Sequence, residues 1–430
     1  MLPTRSRPAV LSLILVAGLA APAFAGGAAC QEAANAAIAT SQPAAAGAKP
    51  TETKPVPVVQ LAILLDTSGS MDGLIEQAKA QLWSIVNEFA TSKRGGVRPR
   101  LEVALYHYGN DGISANEQHV QMLLPLTNDL DAVSEKLFSL RTNGGSEFCG
   151  AAIDKATREL SWSSNASDLK IIVIAGNEPF TQGSIDYHNS VPEAVKKNII
   201  INTVFCGSKD EGERTNWKDG AVLGEGAFAN IDQNSQPPTI ATPHDGEITT
   251  LGTQLNLTYV AYGAEGEKSK MRQTLQDSNA ASVAPGVAAQ RAVSKGSSLY
   301  DNSTWDIVDA LEQKKVALKD IPKEQLPKEM QSMTLEEREA HVKKLAEQRK
   351  DIQKKIGELE VKRQAFIAEE RKKNVDASKP DSLGEAFLKA VREQAKQKGY
   401  EFDAKAEDKS GESAAAKTDA KPDEKKDVKK

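Results

Sequence analysis

The chain has 430 residues, with 54 basic against 59 acidic side chains and a net charge of −5, so nothing in its overall charge favours nucleic acid. Its length leaves room for more than one domain. The five histidines show no H-x-x-x-H or H-E-x-x-H spacing to support zinc chemistry, and neither a G-x-S-x-G elbow nor a Walker phosphate loop is present, which removes the common hydrolase and ATPase signals.

Arg5 and Arg7 precede an apolar run over residues 9–20, and Ala23-Phe24-Ala25 places small residues before a cut at Gly26. Residues 1–25 therefore read as a secretory signal peptide, with an apolar run too short for a permanent membrane anchor. The expectation is export to the periplasm or beyond. Retention as an uncleaved anchor, or as a lipoprotein through Cys30, is the minor reading. Residues 26–56, rich in Ala, Pro, Gln and Thr, read as a flexible linker.

From Val58 the pattern is strand, helix, strand, repeated, as in a sheet covered by helices. VVQLAILL is the first strand. Leu74, Ala78, Leu82, Ile85 and Phe89 then recur at helical spacing, giving a helix with one face on the sheet. LEVALYHYG and HVQMLLPL flank a turn-rich stretch and predict a hairpin at a sheet edge. LKIIVIAG and NIIINTVFCG are short, continuous apolar runs, as central parallel strands buried on both faces require. GAFANID is a last strand, and a helix over 247–259 closes the unit.

The first strand runs into Asp66-Thr67-Ser68-Gly69-Ser70-Met71. An acid and two hydroxyls at alternate positions can converge hard oxygen ligands on one point, which suits Mg²⁺, Ca²⁺ or Mn²⁺ better than Zn²⁺. The bland reading of the same residues is a turn in which Asp66 caps the following helix or bonds loop amides.

With its strand order, this stretch resembles a von Willebrand factor type A (VWA) domain, an α/β fold with a doubly wound, mostly parallel sheet, over residues 57–263. In that family a metal-ion-dependent adhesion site (MIDAS) opens with D-x-S-x-S at the end of the first strand. The resemblance implies metal ligation by Asp66, Ser68 and Ser70, and by Ser146 of Gly144-Gly145-Ser146 where the family has a Thr. Where the family places a third-loop Asp, this chain has Ala175-Gly176-Asn177-Glu178-Pro179, so Asn177 and Glu178 are the weaker candidate donors. A cation with an open coordination position could take a carboxylate from a partner protein, as adhesion-type members do.

Cys149 and Cys206 fall at loops on the ligand side of the sheet, and in an exported chain a disulfide between them is expected over a pair of buried thiols. Tyr106, His107, Tyr108 and His188 form no ligand pattern, and Asp210, Glu211 and Glu213 read as a solvated acidic loop. DTSGS also looks like the loop of an Asp-based, haloacid-dehalogenase-like phosphatase, but the later carboxylate pair of that family is missing.

Beyond residue 263 the chemistry stops. Residues 264–303 read as a connector with local helix, and 304–400 as a helical, coiled-coil region interrupted at Pro322 and Pro327. Thr334 and Glu337 form a capping box. Val342, Leu345, Ile352, Ile356, Leu359 and Phe366 then make a heptad seam that Arg349 and Arg363 interrupt. That seam fits a hairpin against 304–318, a self-associating dimer or a single solvated helix. A helix over 383–398 follows, then a disordered charged tail over 401–430.

The functional expectation is a non-enzymatic extracytoplasmic binding protein with a VWA head. The alternatives are an envelope scaffold that acts through its helical region with an inert head and, remotely, the phosphatase.

Overall fold

The computed structural model describes residues 55–232, 240–373 and 383–403. The expected signal peptide, most of the expected linker and the expected tail beyond residue 403 lie outside the described residues. Among those residues no helix is long and apolar enough to cross a membrane.

In chain order the elements are β1 (Val58–Asp66), α1 (Asp72–Ala90), β2 (Ser92–Arg94), β3 (Arg100–Tyr108), β4 (Val120–Thr127), α2 (Leu130–Ser139) and α3 (Cys149–Glu159). Then come β5 (Leu169–Gly176), α4 (Tyr187–Lys196), β6 (Ile199–Cys206), α5 (Lys209–Arg214), α6 (Trp217–Leu223), β7 (Phe228–Ile231) and α7 (Asp245–Asn256). The remainder is α8 (Gly266–Val283), α9 (Pro285–Lys295), α10 (Ile307–Glu312), α11 (Lys328–Gln331), α12 (Leu335–Lys373), α13 (Leu383–Gln397) and β8 (Tyr400–Phe402).

Six strands form one sheet in the order β4-β3-β1-β5-β6-β7. Only the edge pair β3–β4 is antiparallel, as the turn-rich link between those two runs requires. Every residue of β5 is buried, which accounts for its continuous apolar run. Side chains alternate across β1: Val59, Leu61 and Leu65 enter the core shared with α1, while Ala62 and Leu64 enter the core beneath α3 and α4. Because the parallel strands all end on one side, the loops after β1, β5 and β6 gather at one rim.

The helical region differs from expectation. Residues 264–303 are not a connector: Ala280, Val287, Ala289 and Ala292 of α8 and α9 belong to the same core as β1 and α1. Between these helices lies a buried charge cluster in which Arg291 meets Asp131 at 2.6 Å and Asp277 at 2.9 Å. Lys295 meets Asp277 at 2.6 Å, and burial pushes its amine down to about 8.

α12 begins at the expected capping box, where Thr334 N–H donates to Glu337 Oε2 at 2.8 Å and Glu337 N–H to Thr334 Oγ1 at 3.3 Å. Its seam faces the chain's own α7, α9 and α10, with Val342, Ile356 and Leu359 buried. The two arginines that interrupt the heptads are its tethers. Arg349 pairs with Asp306 at 2.7 Å and with Asp309, and Arg363 pairs with Asp245 at 2.8 Å. A self-associating coiled coil along this seam is therefore corrected to an intramolecular packing.

The chain then returns to the sheet domain. α13 lies against α1 and β7, and Asn202 and Gln394 exchange side-chain amide hydrogen bonds at 3.0 and 2.6 Å. β8 pairs antiparallel with β2, so residues 401–403 are ordered strand and cap, not tail. Asp403 closes the return on Lys93 at 2.7 Å and Arg98 at 3.0 Å.

Candidate functional site

β1 delivers Asp66 to the rim with its side chain fully buried, and the turn that follows is tied to the neighbouring strand and to the second loop. Thr67 N–H donates to Tyr108 O at 2.8 Å, and Thr67 O accepts from Asn143 N–H at 2.9 Å. Asp66 Oδ1 accepts from Ser68 N–H at 2.7 Å, a local turn of the kind Asp favours. Ser68 Oγ and Ser70 Oγ lie 3.4 Å apart. Ser68 is buried and Ser70 exposed, so the loop runs from the interior to the surface.

Two further loops close on this one. Gly69 N–H donates to Gly144 O at 2.9 Å, and Ser146 forms an isolated bridge with Gly109, so the Gly-Gly-Ser loop stacks on the D-x-S-x-S loop through backbone. The β5 loop arrives through Asn177, whose Nδ2 donates to Ser70 Oγ at 3.2 Å and whose backbone N–H favours the charged form of the Asp66 carboxyl. Asp66, Ser68, Ser70 and Asn177 are thus joined by hydrogen bonds, and Ser146 is held beside them. Glu178 turns aside: its Oε2 accepts from Gln182 Nε2 at 3.2 Å, and its charge acts on Asp66 only through space.

Close approach explains two glycines. A Cβ on Gly176 would stand 2.5 Å from the Tyr108 hydroxyl and 3.0 Å from Asp66 Oδ2, and one on Gly109 would stand 2.9 Å from Asp66 Oδ1. Side chains at either position would displace the carboxylate.

The electrostatics of the site are those of an acid short of partners. Asp66 Oδ2 and Asn177 Oδ1 are buried acceptors with no hydrogen-bond partner. Burial pushes the Asp66 carboxyl up to about 7, against the opposing bonds from Ser68 and Asn177. Orphaned acceptor oxygens are rare in a folded interior because each forfeits its solvation. Both want a donor or a cation, and a set of one carboxylate, hydroxyls and an amide fits a hard divalent ion. Among the described residues no cluster of three or more His, Cys, Asp or Glu side chains is placed to hold a metal, so any such site here needs hydroxyl or amide oxygens beside its acids.

A residue missing from the sequence reading is Glu147. It is 4% exposed, its Oε2 has no partner, and its backbone N–H donates to Gln182 Oε1 at 3.3 Å. Its only sequence signal is its place directly after Ser146.

The expected disulfide is not formed. Cys149 and Cys206 are both free, buried thiols. The reason is the sheet itself: Cys206 belongs to the core on the α1 side and Cys149 to the core on the α3–α4 side. Burial raises both thiols, and Cys149 Sγ lies 3.7 Å from the Tyr108 hydroxyl, which itself donates to Ala175 O at 2.9 Å.

The remaining polar candidates have ordinary partners. The Tyr106 hydroxyl donates to Glu159 at 3.2 Å, His107 sits between Thr67 and Gln121, and His188 sits between Asp186 and Asp219. Asp210, Glu211 and Glu213 are exposed on α5.

A family model described as von Willebrand factor type A domain matches residues 60–219. The chain carries a VWA domain. VWA domains commonly mediate protein interactions, are typically non-enzymatic and often bind a divalent metal at a MIDAS. No curated protein matches the chain. Among solved structures, the conserved hypothetical protein BatB from Bacteroides thetaiotaomicron is 18% identical, over 40% of this chain and 90% of that one, with a TM-score of 0.31. The SpRpn10 VWA domain is 18% identical over 42% and 90%, with a TM-score of 0.32. Proximal thread matrix protein 1 from the mussel byssus, solved with a zinc-occupied MIDAS motif, is 13% identical over 41% and 42%, with a TM-score of 0.31.

Proposed function

We propose that this protein is an exported, non-enzymatic binding protein whose VWA domain engages a partner protein through a divalent cation. Asp66, Ser68, Ser70 and Ser146 hold the ion, Mg²⁺ in the first instance and Ca²⁺ or Mn²⁺ as alternatives, and Asn177 contributes through its side-chain oxygen. The observation that carries the reading is the buried Asp66 Oδ2, left without a hydrogen-bond partner at the rim where three loops meet. When bound, the ion supplies an electrophilic point that a partner carboxylate can complete. The protein's own contribution is to fix the ligand loops, through Gly69 to Gly144 and Asn177 to Ser70.

Residues 57–263 carry the recognition in this reading, and the helices after them brace the domain. The packing of α12 on α7, α9 and α10 supports a brace more than a separate scaffold, because the apolar seam a scaffold would offer is already covered. Capture of a partner from an envelope extract tests the proposal. Binding that is lost with EDTA and in Asp66→Ala supports it. Binding indifferent to both, and lost only when the helical region is altered, overturns it.

A further inference from the structure

We infer that Glu147 is an additional acidic ligand of the same site, restoring the carboxylate that the third loop lacks at Asn177. This rests on the metal-site reading above and deepens it. Glu147 follows Ser146 directly, so the loop that brings the hydroxyl also brings the acid. A Cβ built on Gly109 would meet Glu147 Cγ at 2.7 Å and Asp66 Oδ1 at 2.9 Å, so the two acidic side chains flank the same side of Gly109. Glu147 Oε1 lies 3.8 Å from the corresponding point on Gly145, so its carboxylate stands beside the second loop.

Burial gives the second, independent argument. Glu147 is 4% exposed, and its Oε2 is buried without a hydrogen-bond partner. A carboxylate in that state costs free energy unless a proton, a donor or a cation answers it. The other orphans on the ligand loops, Asp66 Oδ2 and Asn177 Oδ1, are also acceptors. A single cation shared by the three loops would answer these acceptors together. Gln182 holds the arrangement in place: its Oε1 receives Glu147 N–H and its Nε2 donates to Glu178. Glu178 is thereby engaged by Gln182, and Glu147 is the buried acid beside Asp66.

The test is Mn²⁺ binding followed by electron paramagnetic resonance on the full chain, with wild type, Asp66→Ala, Glu147→Gln and Glu147→Asp. Binding should weaken about tenfold or more in Glu147→Gln and recover in part in Glu147→Asp. A Glu147→Gln affinity within about twofold of wild type, with Asp66→Ala defective, would overturn the role of Glu147 and leave the site standing. No Mn²⁺ binding by wild type would overturn both. Thermal melting in EDTA separates ligation from packing: Glu147→Gln should melt no lower than wild type, and a lower melt would show that the carboxylate serves the fold instead.

Discussion

Asn177 Nδ2 donates to Ser70 Oγ at 3.2 Å, so the residue that stands where a carboxylate is expected ties the β5 loop to the β1 loop. Its backbone N–H meanwhile favours the charged form of the Asp66 carboxyl. Asn177 brings no charge to the site and ties the two loops through its amide. Asn177→Ala should therefore weaken Mg²⁺ binding about tenfold or less, a smaller loss than Asp66→Ala causes. Calorimetric titration of the two variants checks the order.

Asp66 makes stability depend on pH in the metal-free protein. Its folded-state carboxyl is raised from 3.8 to about 7, so between those values the folded chain holds a proton that the unfolded chain has lost. Stability therefore falls as pH rises from about 4 to about 7, by on the order of 4 kcal/mol for this group. Melting curves in EDTA should show that decline, and Asp66→Asn should flatten it. Wild type and Asp66→Asn with equal slopes would contradict the assignment.

The tether at Arg349 should be among the costliest to cut. Its guanidinium meets Asp306, which is fully buried, stacks 4.1 Å from the Tyr259 ring centre and donates to Thr258 O at 2.6 Å. Arg349→Ala leaves Asp306 an uncompensated buried charge and should cost about 3–5 kcal/mol in urea unfolding. Pairing Arg349→Met with Asp306→Asn should recover much of that loss.

The C-terminal return is structural. Tyr400 is 2% exposed, its hydroxyl donates to Val58 O at 3.1 Å, and Arg94 lies over its ring. Tyr400→Ala should cost about 3 kcal/mol and leave metal binding unchanged. A loss of metal binding at full folding would instead tie this segment to the site.

Reduction should not lower the melting temperature, because Cys149 and Cys206 are separate thiols. Alkylation without reductant should reach both cysteines only after unfolding. A native-state bond, whose loss would cost about 2–5 kcal/mol, would show as a drop on adding reductant.

Sequence made some of this legible and hid the rest, for physical reasons. β5 and β6 are readable because burial on both faces forces continuous apolar runs, and Thr334 with Glu337 is readable because both halves of the capping box are local. The place of α8 was hidden because it buries Gln273 and Gln276, which no hydrophobic period reveals. Arg349 and Arg363 look like faults in a seam until their partners, remote in sequence, are brought opposite them. The cysteine pairing failed because chain position says where a strand ends, not which face of the sheet a neighbouring thiol will occupy. Glu147 was missed for the converse reason: its burial comes from the crossing of two loops, and nothing in its neighbourhood repeats.

Calorimetric titration of Mg²⁺ into wild type and Asp66→Ala tests the central claim most directly. The account predicts saturable binding to wild type with a stoichiometry of about one and no detectable heat in Asp66→Ala. Absence of binding in both proteins, or equal binding in both, would contradict it.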